Sequence, residues 1–242
     1  MTLAPPAPPE AHPDKRRYVR EMFAAIAPRY DLLNHVLSLN IDRAWRRQAV
    51  DQLGWERRAG GLYFDACAGT LDLAAELAGR RAFSGRVVGA DFAAPMLRLG
   101  MGKVAGLPVG ATAADTVDLP FREATFDGAT VGFGLRNLED LDAGLRELRR
   151  VLKPDARLVI LDFTTPPSAP VRTLYLFYFR RILPLVGRLV SGHPTAYAYL
   201  PASVEAFPAP DALARRMEGA GFGACGFRLL TGGIAAIHWG KR

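Results

Sequence analysis

The residues best equipped for chemistry sit where apolar runs end. Asp65-Ala66-Cys67-Ala68-Gly69-Thr70-Leu71-Asp72 is a turn of small residues flowing into an amphipathic stretch, and Asp65, Gly69 and Thr70 are its candidate ligand contacts. Backbone amides and the helix dipole at such a point receive an anionic group, although small residues in a turn equally serve tight packing. Asp91 closes the next run, about 20 positions on, where one carboxylate accepts from the two vicinal hydroxyls of a ribose. An exposed loop aspartate is the other reading. Asp115-Thr116 closes the third, placed to accept from an adenine amino group or to form a turn or cap. Three such signals at successive strand ends favour a nucleoside-containing cofactor.

The elements that must position these residues alternate. Leu62 to Cys67, Arg86 to Asp91, Phe126 to Phe133 and Ala156 to Phe163 read as strands, and stretches near Leu71 to Gly79, Pro95 to Lys103 and Leu141 to Leu152 as helices. This is the α/β pattern of a mostly parallel sheet covered on both faces, with ligands beyond the carboxyl ends of the strands. Phe227 to Leu230 and Ile234 to Trp239 flank Thr231-Gly232-Gly233, a hairpin signal that predicts an antiparallel last strand. Before the sheet, apolar residues from Val19 to Leu37 recur at helical spacing, with Pro28 and Asn40 expected to break the segment into pieces.

A chain of 242 residues with 50% hydrophobic and 23% charged residues is expected to bury one large core. Two cysteines exclude a disulfide framework and fit a cytoplasmic compartment; four scattered histidines predict no metal site. The net charge of +7 is dispersed, which argues against a nucleic-acid partner. Residues 1–14 are Pro-rich and read as a disordered tail. No stretch gives the roughly 20 uninterrupted apolar residues of a membrane span. Thr173 to Val190 interleaves arginines with Leu, Phe, Tyr and Ile, which suits either a surface touching anionic lipid or a helix packed on the sheet.

The segments Pro28-Arg29-Tyr30-Asp31-Leu32-Leu33-Asn34, Trp45-Arg46-Arg47, Leu119-Pro120-Phe121, Phe133-Gly134-Leu135-Arg136-Asn137, Arg150-Val151-Leu152-Lys153-Pro154, Tyr197-Ala198-Tyr199-Leu200 and Thr231-Gly232-Gly233-Ile234 occur in this order. In them the chain resembles the menaquinone and ubiquinone biosynthesis C-methyltransferases. The resemblance implies a Rossmann-like, seven-stranded class I S-adenosylmethionine-dependent fold in one domain over residues 15–242. Residues 15–58 would form a helical lid and 168–206 an insertion in the sheet core. It implies S-adenosylmethionine as cofactor, with Thr70, Asp91 and Asp115-Thr116 in contact with it, and a polyprenylated demethylquinol as substrate. A tail of that kind suits a cytoplasmic protein touching the inner face of a membrane; oligomeric state is left open.

The resemblance has three departures: Leu71 stands at a usual glycine, Asp155-Ala156 at a usual glycine pair, and Asp162 at a usual glutamate. Asp155-Ala156 is expected to alter only a turn. Leu71 is expected to turn its side chain away from the cofactor; the alternative is a non-catalytic, quinone- or partner-binding relative that has lost the cofactor through Leu71. Methyl transfer to carbon requires a nucleophilic, reduced ring, and Arg136 is expected to stabilise its phenolate, with an ion pair to Glu139 or Asp140 as the other reading. Asn137 either hydrogen-bonds a quinol oxygen or caps the helix near Glu139. Tyr30, Phe133, Tyr197 and Tyr199 are candidate walls for the aromatic ring or a sulfonium. His238 is assigned to the core.

Overall fold

The computed structural model describes residues 14–38, 40–178, 181 and 196–242, with backbone alone for residues 29–37 and 196–198. The tail, apart from Asp14, and most of the segment from Thr173 to Val190 therefore lie outside the described residues.

Seven strands form one sheet in the order β3-β2-β1-β4-β5-β7-β6. They are β1 (Leu62–Ala66), β2 (Arg86–Asp91), β3 (Val109–Ala113), β4 (Phe126–Gly132), β5 (Leu152–Phe163), β6 (Gly223–Leu230) and β7 (Ala235–Lys241). The first five are parallel to their neighbours, and β7 runs antiparallel between β5 and β6. Side chains alternate across the pleat, so each strand feeds two cores. Tyr63, Val159 and Leu161 face α2 (Ile41–Leu53) and α3 (Asp72–Ala78), meeting Trp45, Val50, Leu53 and Leu77. Phe64, Leu158 and Ile160 face α5 (Leu141–Val151) and α8 (Pro210–Gly219), meeting Leu145, Leu148, Leu213 and Met217. A smaller third cluster joins Val19 and Met22 of α1 (Lys15–Leu37) to Tyr175 of α6 (Ala169–Phe177) and Tyr199 of α7 (Ala196–Ala206). The remaining helix, α4 (Ala94–Lys103), connects β2 to β3.

Two expectations are corrected. Pro28 does not break the first helix, which runs from Lys15 to Leu37; the break comes at Asn40, which is left-handed at φ 61°. Proline's own φ is helical and removes only one hydrogen bond, a loss outweighed by burial of Val19, Met22 and Ala27 on the turns before it. Lys153 to Ala156 is no turn before a strand, because β5 already begins at Leu152. The extra residues form a bulge: pairing with β4 passes from Leu152 opposite Phe126 to Arg157 opposite Gly128, with Asp155 left-handed at φ 63°.

Leu71 is the N-cap of α3, and its backbone adopts the left-handed conformation, φ 64° and ψ 27°. For a residue with a Cβ this costs about 1–2 kcal/mol. Its side chain is fully buried between β2 and α4, where a Cβ at Gly89 would collide with Leu71 Cδ2 and one at Gly100 would lie 2.9 Å from Leu71 Cγ. The leucine thus points away from the strand ends and fills the hollow that two glycines leave. Leu71→Ala should lower stability by about 2–5 kcal/mol in chemical denaturation through the cavity it opens. Leu71→Gly should be more stable than Leu71→Ala by about 1 kcal/mol, reversing the usual order, because glycine removes the left-handed strain. Equal or inverted stabilities would show that the backbone strain is absent.

Candidate functional site

The carboxyl ends of β1, β2 and β4 open into a crevice. Asp91, the last residue of β2, holds its floor together. Its Oδ2 accepts from the Gly69 amide at 2.9 Å and its Oδ1 from the Ala93 amide at 2.8 Å, tying the turn after β1 to the start of α4. Burial pushes the Asp91 carboxyl up to about 6, although both amides oppose the shift. Within the turn Cys67, Gly69 and Leu71 are all left-handed, at φ 49°, 51° and 64°. That alternation curls the backbone tightly around the end of β1 and leaves Gly69 lining the crevice.

Asp115 and Thr116 lie on the same wall. Asp115 Oδ1 accepts from the Val117 amide at 3.2 Å, as a turn residue does, while Oδ2 pairs with Arg16 Nε at 2.7 Å. Arg16 and Phe23 bring α1 across the crevice, and Lys15 Nζ pins that helix by donating to the Leu138 carbonyl at 2.7 Å. Phe92 and Met96 supply apolar walls, so the crevice combines carboxylates for hydroxyls with flat apolar surface for a base. This donor set fits the nucleoside expected from the sequence.

A second, smaller recess adjoins the first, sharing Cys67, Gly69 and Phe133 with it and adding Arg46, Asp65, Thr70 and Asp72. Asp65 is buried and accepts from Thr130 Oγ1 at 2.9 Å and the Ala74 amide at 3.1 Å; burial still pushes its carboxyl up to about 7. Phe133 is left-handed at φ 57°, and its ring packs on Phe163 at 4.8 Å between centroids.

Arg136 pairs neither with Glu139 nor with Asp140. Its Nη1 lies 2.7 Å from Asp162 Oδ1 at the end of β5, with both side chains buried. Burial raises the Asp162 carboxyl and the neighbouring Arg136 charge opposes the rise. Asn137 does not cap α5, whose N-cap is Asp140 with its side chain accepting from the Ala143 amide. Instead Asn137 Oδ1 accepts from Tyr199 Oη at 3.0 Å, linking α7 to the crevice edge that Asn137 lines. The structure thus brings Asp65, Gly69, Thr70, Asp91, Asp115, Thr116, Phe133 and Asn137 to the two recesses. Arg136 and Tyr199 lie behind them, and the side chains of Tyr30 and Tyr197 lie outside the described residues. His238 is buried on the α8 face, with Nε2 3.0 Å from the Pro210 carbonyl and its pKa lowered to about 4 by burial.

Sequence reasoning gave no site role to Cys67, Arg16, Arg46, Asp72, Phe92 or Met96. Cys67 was legible only as a small residue in a turn. Its Sγ lies 3.3 Å from Thr116 Oγ1, and burial raises the thiol pKa, which leaves it a packed neutral group. Arg16 and Arg46 arrive from helices whose placement over the strand ends is tertiary.

Comparison with known proteins agrees with the geometry. The chain is 50% identical over 223 residues to a demethylmenaquinone methyltransferase of Thermus thermophilus, covering 91% of this chain and 100% of that protein. It is 43% identical over 233 residues to the ubiquinone/menaquinone biosynthesis C-methyltransferase UbiE of Geobacter sulfurreducens, covering 95% and 90%. Among solved structures, a SAM-dependent methyltransferase of Thermotoga maritima, described as a possible histamine N-methyltransferase, shares the fold. Its TM-score is 0.63 at 15% identity, over 91% of this chain and 98% of that one. Residues 11–242 match the ubiE/COQ5 methyltransferase family, and the chain belongs to it.

Proposed function

We propose that this chain methylates a ring carbon of a polyprenylated demethylmenaquinol, using S-adenosylmethionine. Membership of the family makes the chain an S-adenosylmethionine-dependent C-methyltransferase of quinone biosynthesis. The observation that carries the reading to these residues is the seat around Asp91, a buried carboxylate braced by two amides in a crevice with apolar walls. The 50% identical relative, named for demethylmenaquinone, favours a naphthoquinol over a benzoquinol. The reading in which Leu71 abolishes cofactor binding has no support, since its side chain is packed in the core.

When bound, S-adenosylmethionine supplies an electrophilic methyl group. Asp91 takes the ribose hydroxyls, Asp115 and Thr116 border the base, and Asp65, Gly69 and Thr70 line the remaining length. Replacing a ring hydrogen by methyl releases one proton from the acceptor, and only a quinol, with a phenolate beside the reacting carbon, is electron-rich enough to react. Arg136, next to Asn137 and just behind the crevice edge, stabilises that phenolate through its charge, and Asp162 holds the guanidinium in place. Phe133 and Asn137 border the acceptor, and Tyr199 holds Asn137 from behind through its hydroxyl. The helix α1 acts as a lid on one domain spanning residues 15–242, supported by the Arg16 to Asp115 pair. A long-tailed acceptor is collected at a membrane surface by the 168–206 insertion, where α6 exposes Leu174 at 70% and Phe177 at 57%. No helix among the described residues is long and apolar enough to cross a membrane.

Asp91→Asn should weaken S-adenosylhomocysteine binding about 10- to 100-fold in calorimetry. In the unmutated protein affinity should fall as pH drops through about 6, because protonation removes the charged acceptor; that step should vanish in the variant. Unchanged affinity in Asp91→Asn would place the ribose elsewhere. Methylation should proceed with a dithionite-reduced acceptor and stop with the oxidised quinone, and equal turnover with both would exclude the phenolate route. Arg136→Lys should lower turnover about 10- to 100-fold with S-adenosylhomocysteine affinity held within about twofold. It is the more informative variant, because Arg136→Leu would strand the buried Asp162 charge at a cost of about 3–5 kcal/mol. Leu174→Ser with Phe177→Ser should reduce co-sedimentation with anionic vesicles, and undiminished binding would move the membrane contact off α6.

A further inference from the structure

The short helical turn Leu135–Asn137 beyond β4 is gripped by two elements from outside the sheet. Lys15 Nζ of α1 donates to the Arg136 and Leu138 carbonyls at 3.4 and 2.7 Å, and Tyr199 Oη of α7 donates to Asn137 Oδ1 at 3.0 Å. Tyr199 is buried, and its ring centroid lies 6.0 Å from that of Tyr18, so α1 and α7 meet behind the turn. Burial pushes the Tyr199 phenol up to about 12, with Arg136 opposing the shift, so the hydroxyl keeps its proton near neutral pH. On its other side Asn137 Nδ2 donates to the Phe133 carbonyl at 3.4 Å. That carbonyl also accepts from Arg136 Nη1 and has no proton to give.

These two contacts decide which way round the Asn137 amide stands. Exchanged end for end, the amide would set Oδ1 against the Phe133 carbonyl, two acceptors with no proton between them. With Oδ1 committed to Tyr199, Asn137 has the second N–H of Nδ2 to offer a ligand in the crevice that it lines. We infer that Tyr199 is a positioning residue for methyl transfer: by holding Asn137 Oδ1 it presents the Nδ2 donor to an oxygen of the acceptor ring. This rests on the quinol reading above. A donor bonds more strongly as the oxygen it meets becomes negative, so the contact favours phenolate over phenol and lowers the pH at which the bound acceptor ionises. The charged groups around this place are Arg136 with Asp162 behind it, Lys15 on the carbonyls of the turn, and Glu139 with the Arg16 to Asp115 pair along the crevice. Their formal charges balance, and a directed N–H adds a bias that they do not cancel. Because α7 belongs to the 168–206 insertion, the segment that collects the acceptor also completes the site, through one hydrogen bond.

The test measures single-turnover rates against pH for the full chain, Tyr199→Phe, Asn137→Ala and the double variant, with a dithionite-reduced, short-tailed demethylmenaquinone as acceptor. The unmutated rate should rise with pH as the bound acceptor ionises. Tyr199→Phe keeps the ring and removes the hydroxyl. Its rate should fall about 3- to 10-fold near neutral pH, with the rising limb moved about 0.5–1 pH unit toward alkaline, so that the deficit closes at high pH. S-Adenosylhomocysteine affinity in calorimetry should stay within about twofold. Because Tyr199 acts through Asn137, the double variant should be no slower than Asn137→Ala alone. A deficit of the same size at every pH, or losses that multiply in the double variant, would make Tyr199 a packing residue and overturn the inference; so would full turnover in Tyr199→Phe. Should Asn137→Ala fail to fold, the pH profile of Tyr199→Phe decides alone. An unmutated rate that does not change with pH would overturn the inference and leave the quinol reading intact. An unmutated protein that methylates neither the reduced nor the oxidised acceptor would overturn that reading and this inference with it.

Discussion

Two backbone amides converge on the carboxylate of Asp91, one from the turn after β1 and one from the start of α4, and the crevice exists because they do. Adjacent parallel strands end side by side, and nothing in a sheet obliges the loops beyond them to part. Asp91 holds them in a fixed relation, each oxygen taken by one loop, with the acceptor capacity left over facing inward. The left-handed residues of the turn follow from this. Cys67, Gly69 and Leu71 must bend the chain sharply enough to bring the Gly69 amide back toward β2. Because such strain persists only where surroundings over-determine it, the turn depends on the packing beneath it.

The electrostatics around the strand ends differ from those of the whole molecule. The chain carries a net charge of +7, yet Asp65, Asp91 and Asp115 gather on the crevice wall. Arg16, Arg46 and Arg136 meet them from the periphery, each already engaged with an aspartate. Such a concentration of carboxylates favours a cationic ligand over a neutral one. Both Asp65 and Asp91 are raised by burial, against the hydrogen bonds that each accepts.

Much of this was legible because strands are local. The short apolar runs Leu62 to Cys67 and Arg86 to Asp91 read as strands, and the ends of successive runs mark where the crevice opens, so Asp91 and Asp115 were candidates from position alone. What escaped depended on distant partners. Arg136 was paired on paper with neighbours three or four residues away; its partner Asp162 is 26 residues on, brought beside it by the parallel pairing of β4 with β5. Arg46 stood in a recognisable segment without a role. The register of α2 on the sheet is set by contacts such as Trp45 Nε1 donating to Thr231 Oγ1 at 2.9 Å, across 186 residues of sequence. Pro28 and Asp155 misled for the opposite reason: each carries a strong local signal that packing or a bulge absorbed.

Leu71, Gly89 and Gly100 share one volume, contributed by three separate elements. Their substitutions are therefore epistatic. With leucine at 71 a methyl group at 89 collides with its Cδ2; with glycine at 71 the nearest neighbour becomes Ala68 Cβ at 3.2 Å, whereas a methyl group at 100 meets the Thr70 backbone at 2.7 Å in either case. Replacing the leucine by a smaller residue therefore relieves the crowding at 89 and leaves that at 100 in place. A departure in one turn thereby limits the paths open to a strand and a helix on either side of it.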